Sequence, residues 1–133
     1  MNKIQCTVVT PVGRYRELET EILNIKTIDG QRGILPNHVP TVLVLDIGKM
    51  VIVNDGKRED YAVGGGIVYF DDNHAKILVD SIESQEEINV KRAEEAKERA
   101  MRRLESKDEN IDIRRAEISL KKAINRINVK KGF

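Results

Sequence analysis

The sequence predicts an antiparallel β-sandwich of about ten strands in residues 1–84, followed by an α-helical hairpin in residues 85–133. Eight of the nine glycines and all three prolines precede residue 67, where short apolar runs alternate with turn residues. Beyond this region the apolar residues recur at helical spacing, and 24 of the 49 residues in 85–133 are charged, against 21 of the 84 before them. Apolar residues recur about every two residues in strands and about every 3.6 residues in helices. Because this spacing changes near residues 81–84, we place a boundary between two domains there.

The first strands follow from the alternation of apolar and polar side chains. Residues 4–10 have the period of a half-buried strand, which Pro11-Val12-Gly13 ends. Residues 22–28 form another strand, closed by the turn pair Asp29-Gly30.

The later strands are separated by glycines and by turns. Residues 41–47 and 49–53 are expected as two strands on either side of Gly48, and Asn54-Asp55-Gly56-Lys57 predicts a tight hairpin. Strands at residues 61–63 and 67–70 flank Gly64-Gly65-Gly66, which we interpret as a bend or a place where two backbones meet. Residues 75–79 form the last strand.

Residues 30–40, called the contact loop below, predict a stiff connection between two strands. Pro36 and Pro40 restrict the backbone and remove two hydrogen-bond donors. Ile34, Leu35 and Val39 are apolar, so the segment either caps the core or contacts a partner. The residues alone leave these two interpretations equal.

The second half predicts two helices joined by a short polar break. Ser84 and Glu87 fit a capping box, with Ser84 at the N-cap of a helix that continues to about residue 105. Residues 106–110 break the pattern, and a second apolar stripe runs from Ile113 to Ile127. Alanines dominate the seam between the helices, so the hairpin buries little area and is a plausible moving part.

Composition excludes several classes of protein. A net charge of +1 argues against a nucleic-acid-binding protein, and the single Cys6 permits no disulfide within the chain. No stretch approaches the roughly 20 apolar residues that span a bilayer, so membrane association is expected only through a partner. His38 and His74 lie in different turns without metal-ligand spacing, and Gly66 is not followed by the Lys-Ser of a phosphate loop. We therefore predict no catalytic residues and no metal site.

Two basic stripes permit two interpretations. Residues at i, i+7 and i+11 of a helix share one face, and both predicted helices carry cations at this spacing. They are Arg92, Arg99 and Arg103 on the first helix and Arg115, Lys122 and Arg126 on the second. The stripes form either an anion site or a solvated face with local pairs such as Glu95 with Arg99, and the residues alone favour the solvated face.

One motif adds a resemblance to a known family. Gly33-Ile34-Leu35-Pro36-Asn37-His38-Val39-Pro40 follows Val8-Val9-Thr10-Pro11 by some two dozen residues. With Gly64-Gly65-Gly66 and the C-terminal Arg-Ala and Asn-Arg patterns, it resembles the epsilon subunit of F-type ATP synthases over essentially the whole chain. The resemblance implies a non-catalytic central-stalk subunit of the rotor, which couples the gamma subunit to the membrane c-ring during ATP synthesis driven by an ion gradient. It also implies a peripheral position on the cytoplasmic face of a bacterial cell membrane.

The same resemblance implies a regulatory ATP site, with no cofactor required. Epsilon subunits that bind ATP carry Ile-Asp-x-x-Arg-Ala, and the matching run here is Ile88-Asn89-Val90-Lys91-Arg92-Ala93. The chain departs from this pattern at Asn89, and at Lys122 where another arginine would stand. The implied site residues are Glu83, Ile88, Asn89, Arg92, Ala93, Arg99, Lys122 and Arg126.

Partner contacts complete the expectation. Gln31, Arg32, Asn37 and His38 are expected to face the c-ring and the gamma subunit. In an extended state, the hairpin cations Arg115, Lys122 and Arg126 would meet acidic surfaces of the catalytic alpha and beta subunits and block ATP hydrolysis. The alternatives are a free-standing ATP-sensing module and a plain adaptor without regulation.

Overall fold

The computed structural model describes residues 2–132. Eight strands precede two helices within these residues. The strands are β1 (Ile4–Thr10), β2 (Gly13–Thr20), β3 (Ile22–Thr27), β4 (Gly30–Ile34), β5 (Thr41–Asn54), β6 (Lys57–Asp71), β7 (His74–Val79) and β8 (Ile82–Ser84). The helices are α1 (Val90–Glu105) and α2 (Ile113–Lys131).

The strands form one hydrogen-bonded sheet that folds over itself into a sandwich. Its order is β2-β1-β7-β6-β5-β3-β4, with β8 paired to β6, and all pairs are antiparallel except β1 with β7. The long strands β5 and β6 change layers halfway: Leu45 faces the core in one half of β5, whereas Met50 and Ile52 face it in the other. Strands that pass from one layer to the other in this way form the corners of a sandwich.

The glycines of β6 sit at this corner. Gly65 and Gly66 have φ values of 98° and 155°, and a Cβ on Gly66 would lie 2.8 Å from Val79 Cα. A side chain is excluded by this close approach of β6 and β7, and the backbone angle of Gly65 also favours glycine. The triple glycine is therefore the predicted bend between backbones.

The predicted sandwich and hairpin are confirmed, although β5 and β6 each replace two expected strands. Gly48 does not break β5, because its backbone angle is compatible with a strand and Gly48 pairs with Val63 of β6. The first part of the contact loop was also wrongly expected to be irregular. Residues 30–34 form the edge strand β4, which pairs with β3 on one side only.

The start of α1 corrects a second expectation. Ser84 and Glu87 do exchange the hydrogen bonds of a capping box, with N–O distances of 3.2 and 2.9 Å between side chains and backbone. The helix nevertheless begins at Val90, and its N-cap is Asn89, whose Oδ1 accepts from Arg92 N at 3.1 Å. The Ser84–Glu87 pair instead closes a turn between the sheet and the helix.

Small residues form the seam of the hairpin, as the sequence predicts. Ala93 and Ala100 of α1 and Ala116 and Ala123 of α2 are buried. None of the described helices is long and apolar enough to cross a membrane.

Candidate functional site

Helix α2 docks on the outer face of the sandwich through charge pairs. Lys121 Nζ lies 3.0 Å from Asp46 Oδ1 on β5, and Arg126 Nε lies 2.5 Å from Glu83 Oε1 on β8. Between them, Lys122 pairs with Asp80. The cations of α2 therefore face carboxylates of the sandwich.

Hydrogen bonds with Gln85 hold the C-terminal end of the same helix. Gln85 donates from Nε2 to Val129 O at 3.0 Å, and Lys130 Nζ donates to Gln85 O at 2.9 Å. Only a small apolar cluster lies beneath them, formed by Ala62, Ile88 and Val129. Because so little apolar area is covered, polar interactions carry much of the docking.

A groove of about 300 Å³ opens where the sandwich meets both helices. Its lining residues, together called the junction groove, are Glu83, Glu87, Asn89, Arg92, Ala93, Ala96, Arg99 and Arg126. Six of the eight predicted ATP-site residues are thus brought together. The other two lie elsewhere, since Ile88 is buried in the small apolar cluster and Lys122 is engaged with Asp80.

The polar groups of the groove are partly occupied by each other. Asn89 uses its side-chain oxygen to cap α1, which leaves its amide nitrogen for other partners. Glu83 holds Arg126 in place, whereas Arg92 and Arg99 extend from the exposed face of α1. Guanidinium groups can bind an anion with a pair of parallel N–H donors, a geometry that suits phosphate.

Glu87 is a groove residue that the sequence analysis assigned only to a local cap. Its carboxylate accepts from Tyr15 Oη and from Ser84 N, and it lies 3.3 Å from Arg16 Nη2. Burial and the bond to Glu87 raise the pKa of Tyr15 to about 12. Sequence spacing could indicate the contact with Ser84, but Tyr15 is 72 residues away and becomes a neighbour only through the fold.

The remaining basic residues do not join this groove. Arg103 and Arg115 line a separate depression near the turn between the helices, with Ile111, Asp112 and Ser119. The predicted stripes are consequently divided between two places. No group of three histidine, cysteine or acidic residues within 2–132 is arranged to hold a metal ion.

The contact loop lies on a different part of the sandwich. Asn37, with φ of 68°, exchanges hydrogen bonds with Asn73 in the β6–β7 turn, at 2.5 and 3.1 Å. The His38 ring stands edge-on to Phe70, with ring centroids 5.9 Å apart. Gln31, Arg32, Asn37 and His38 are all exposed, as are Leu35 and Val39, while Ile34 is buried in the core. The segment therefore caps the core at one residue and presents the others outward.

The fold and the junction define a two-part protein, in which a β-sandwich carries a helical hairpin docked by charge pairs. Residues 3–85 match the family model described as "ATP synthase, Delta/Epsilon chain, beta-sandwich domain". Residues 86–131 match the model described as "ATP synthase, Delta/Epsilon chain, long alpha-helix domain". The chain belongs to the delta/epsilon chain family of ATP synthases, as the resemblance predicted.

Individual relatives agree with this membership. The chain is 41% identical over 129 residues to the ATP synthase epsilon chain of Bacillus subtilis, covering 97% of this chain and 98% of that one. It is 44% identical over 129 residues to the epsilon chain of Bacillus thuringiensis, with 97% of each chain covered. A cryo-EM structure of the Euglena gracilis mitochondrial ATP synthase, comprising OSCP, F1 and the c-ring, contains a chain similar to this one at a TM-score of 0.75 and 25% identity. That match covers 90% of this chain and 76% of the other.

Proposed function

We propose that this protein is the non-catalytic epsilon subunit of a bacterial F-type ATP synthase, a part of the central stalk that links the gamma subunit to the c-ring. The observation that carries the proposal is the similarity to bacterial epsilon chains over nearly the full length of both proteins. Its place is on the cytoplasmic face of the membrane, reached through the c-ring.

The contact loop is the proposed surface for the c-ring and the gamma subunit. Leu35 and Val39 are 57% and 69% exposed, beside the polar residues Asn37 and His38. Apolar side chains presented on a loop tied to the sheet suit a protein partner, because their burial on assembly is favourable and the loop needs little ordering.

The hairpin is the proposed regulatory part. In the docked state, Lys122 and Arg126 are paired with Asp80 and Glu83 of the sandwich. An extended hairpin would release both cations for acidic surfaces of the alpha and beta subunits, and Arg115, which is exposed even when docked, would join them. Docking and inhibition therefore compete for the same two side chains.

The proposed effector is ATP, bound in the junction groove. Arg92 and Arg99 from α1 supply guanidinium groups that make no ion pair within residues 2–132, and Arg126 becomes available if ATP displaces Glu83. The groove takes residues from the sandwich and from both helices, so a ligand that fills it binds only the docked state. ATP would consequently favour docking.

Co-purification tests the subunit assignment. The full chain carrying an affinity tag is recovered from native membranes, and the bound proteins are identified by mass spectrometry. Gamma and c subunits are expected with it. Recovery as a monomer that changes shape with ATP would favour the free-standing sensor. The plain adaptor would be favoured by a different result. In that case gamma is recovered with the chain, and deleting residues 85–133 leaves the rate of ATP hydrolysis by the complex unchanged.

Calorimetric titration with ATP tests the groove. Arg92→Ala is expected to abolish binding. Arg102→Ala is the matched control, because Arg102 is an exposed arginine of α1 that does not line the groove. Equal loss in both variants, or no binding by the unmodified protein at millimolar ATP, would contradict the ATP site and leave the stalk assignment intact.

A further inference from the structure

Two glycines of the sandwich lie directly under α2. Gly48 on β5 and Gly64 on β6 occupy neighbouring positions in the sheet, where Gly48 pairs with Val63 and Gly64 with Ile47. Asn125 donates from Nδ2 to Gly48 O at 2.9 Å. The side chain of Lys122 crosses Gly64 to reach Asp80.

Gly64 differs from the two glycines that follow it. Gly65 and Gly66 have positive φ values that favour glycine, whereas the backbone of Gly64 lies outside that region. Its missing side chain is therefore explained by space. A Cβ on Gly64 would overlap Ser81 Oγ and would lie 3.3 Å from Lys122 Cε.

The surroundings of Gly64 hold Lys122 in one position. Gly64 N donates to Ser81 O at 2.9 Å, and Asp80 N donates to Gly65 O at 3.0 Å, so the backbone of Asp80 is fixed beside Gly64. Lys122 is only 22% exposed along its side chain because its stem lies in this gap. A lysine stem that lies on a surface contributes packing as well as charge.

Gly48 has a similar role on the neighbouring strand. A Cβ there would lie 2.6 Å from Lys26 Cδ and 2.8 Å from Lys26 Cβ. Lys26 would have to move, and it lies beside Asp46, the partner of Lys121. A side chain at Gly48 would thus disturb a second docking contact of α2.

From these contacts we infer that Gly48 and Gly64 form a two-glycine seat for α2, and that Gly64 is a positioning residue which sets the balance between docked and undocked hairpin by leaving room for Lys122. The inference rests on the proposed function in one respect, namely that the hairpin leaves the sandwich. It assigns a role in hairpin docking to the first glycine of the triple-glycine motif, whose bend requires only the other two.

The test is made on the full isolated chain, with spin labels on cysteines introduced at Asp72 and Lys107. Both positions are exposed, one in the β6–β7 turn and the other between the helices. Cys6 is buried, and burial raises its pKa to about 12, so it stays unlabelled. Pulsed electron spin resonance then reports a narrow distance distribution for the docked hairpin.

All variants carry Ser81→Ala, which removes the oxygen that a new side chain at residue 64 would overlap. In this background Gly64→Val is expected to lower the ratio of docked to undocked hairpin about tenfold, within the range that overpacking produces. Valine suits the extended backbone of a strand. Gly33→Val is the matched control, because Gly33 is a strand glycine of ordinary φ that meets Asn24 and Ile22 and no residue of the hairpin.

Adding Lys122→Ala separates a positioning effect from damage to the sheet. With Ser81 Oγ and the lysine stem both removed, the close neighbour that remains for a Cβ at residue 64 is the backbone nitrogen of Ser81 at 3.3 Å, which belongs to the sandwich and not to the hairpin. Gly64→Val is therefore expected to cause little further undocking in that background. If Gly64→Val does not fold, Gly64→Ala is measured in its place, with a smaller shift in the same direction.

Three results would overturn the inference. They are an unchanged distance distribution in Gly64→Val, an equal change in Gly33→Val, or full additivity with Lys122→Ala. Lys122→Ala/Arg126→Ala serves as the reference for undocking. If it undocks while Gly64→Val does not, only the seat is wrong; if neither undocks, the moving hairpin of the proposed function is contradicted as well.

Discussion

Asn89 both caps α1 and lines the junction groove. A substitution that keeps the cap therefore tests the role of residue 89 in the groove alone. Asp caps a helix as well as Asn does, so Asn89→Asp leaves the bond to Arg92 N in place. The substitution replaces the amide nitrogen by a second carboxylate oxygen, which can accept a hydrogen bond from the adenine amino group or a ribose hydroxyl of ATP. Hydrogen bonds to charged groups are worth about 1 kcal/mol more than neutral ones. We therefore expect ATP to bind to Asn89→Asp several-fold more tightly, as measured by calorimetry. Asn110→Asp, an exposed residue between the helices, is the control, and an equal gain there would indicate a general charge effect.

Asp46 should make the docked fraction of the hairpin depend on pH. The hydrogen bond from Lys121 is the main reason that the pKa of this carboxyl lies below its ordinary 3.8, and Lys26 adds to the effect. A lowered pKa means that the carboxylate stabilises the docked state at pH above 3.8 and that this stabilisation is lost as the pH falls through the lowered value. We expect the docked fraction to fall with acidification below about pH 4, and Asp46→Asn to lessen that dependence. The spin-label distance gives the measurement; Asp72→Asn, measured with a label at a different turn position, is the control and should leave the dependence unchanged.

His38 tests the contact loop without removing a core residue. Its ring is exposed and touches Phe70 only edge-on, a contact worth about 0.5–1.5 kcal/mol, so His38→Glu should stay folded. The new charge is expected to weaken assembly onto the c-ring several-fold, measured by the amount of subunit retained on membranes. Val12→Glu places the same charge in the exposed β1–β2 turn and should assemble normally. Loss of folding in the isolated His38→Glu chain would support the core-cap interpretation, and a folded variant that assembles normally would contradict the contact surface.

At the scale of elements, the sandwich should be stable without the hairpin. Its core of buried apolar residues lies between the layers of the sheet and takes no residue from α1 or α2. Truncation after Ser84 removes Ile88 and Val129, which pack against Ala62 on the outer face and not in the core between the layers. We expect residues 1–84 to give a β-sheet circular dichroism spectrum and a cooperative thermal transition. A disordered spectrum would show that the sandwich depends on the hairpin and would contradict the proposed division at residue 84.

The same elements show why the sequence predicts some features and not others. The alternation of apolar and polar side chains and the turn pairs identify the strands, because both depend on the local backbone conformation. The spacing of the alanines identifies the seam of the hairpin. The residues around Gly48 could not predict that β5 is one continuous strand, because glycine is compatible with a strand as well as with a bend. The groove shows the same limit. Arg92 and Arg99 share a predictable helix face, but the contacts of Glu87 with Tyr15 and of Arg126 with Glu83 depend on how distant elements pack.

At the scale of the whole molecule, the docked state is held by interactions that are individually weak. Exposed ion pairs contribute about 0.2–1 kcal/mol each, and the apolar cluster of Ala62, Ile88 and Val129 is small. The domains therefore meet through a set of contacts that modest changes can shift. This property suits the proposed function, in which the hairpin cations would leave the sandwich for another surface.

Ionic strength should shift this balance, and ATP should oppose the shift. Raising salt from 0.1 to 1 M shortens the Debye length from about 10 to about 3 Å, which weakens partly exposed pairs such as Lys121 with Asp46. The docked fraction of the isolated chain is therefore expected to fall, as measured by the spin-label distance distribution.

ATP is expected to have the opposite effect. At low salt, ATP at ten times its dissociation constant stabilises the docked state by about 1.4 kcal/mol, which raises the ratio of docked to undocked hairpin about tenfold. Arg92→Ala should abolish the ATP effect and keep the salt effect, because Arg92 lines the groove but makes none of the charge pairs that dock α2. A docked fraction that does not change with salt would mean that apolar contacts hold the hairpin. A salt effect without an ATP effect would mean that the charge pairs stabilise the docked hairpin and that ATP does not regulate it.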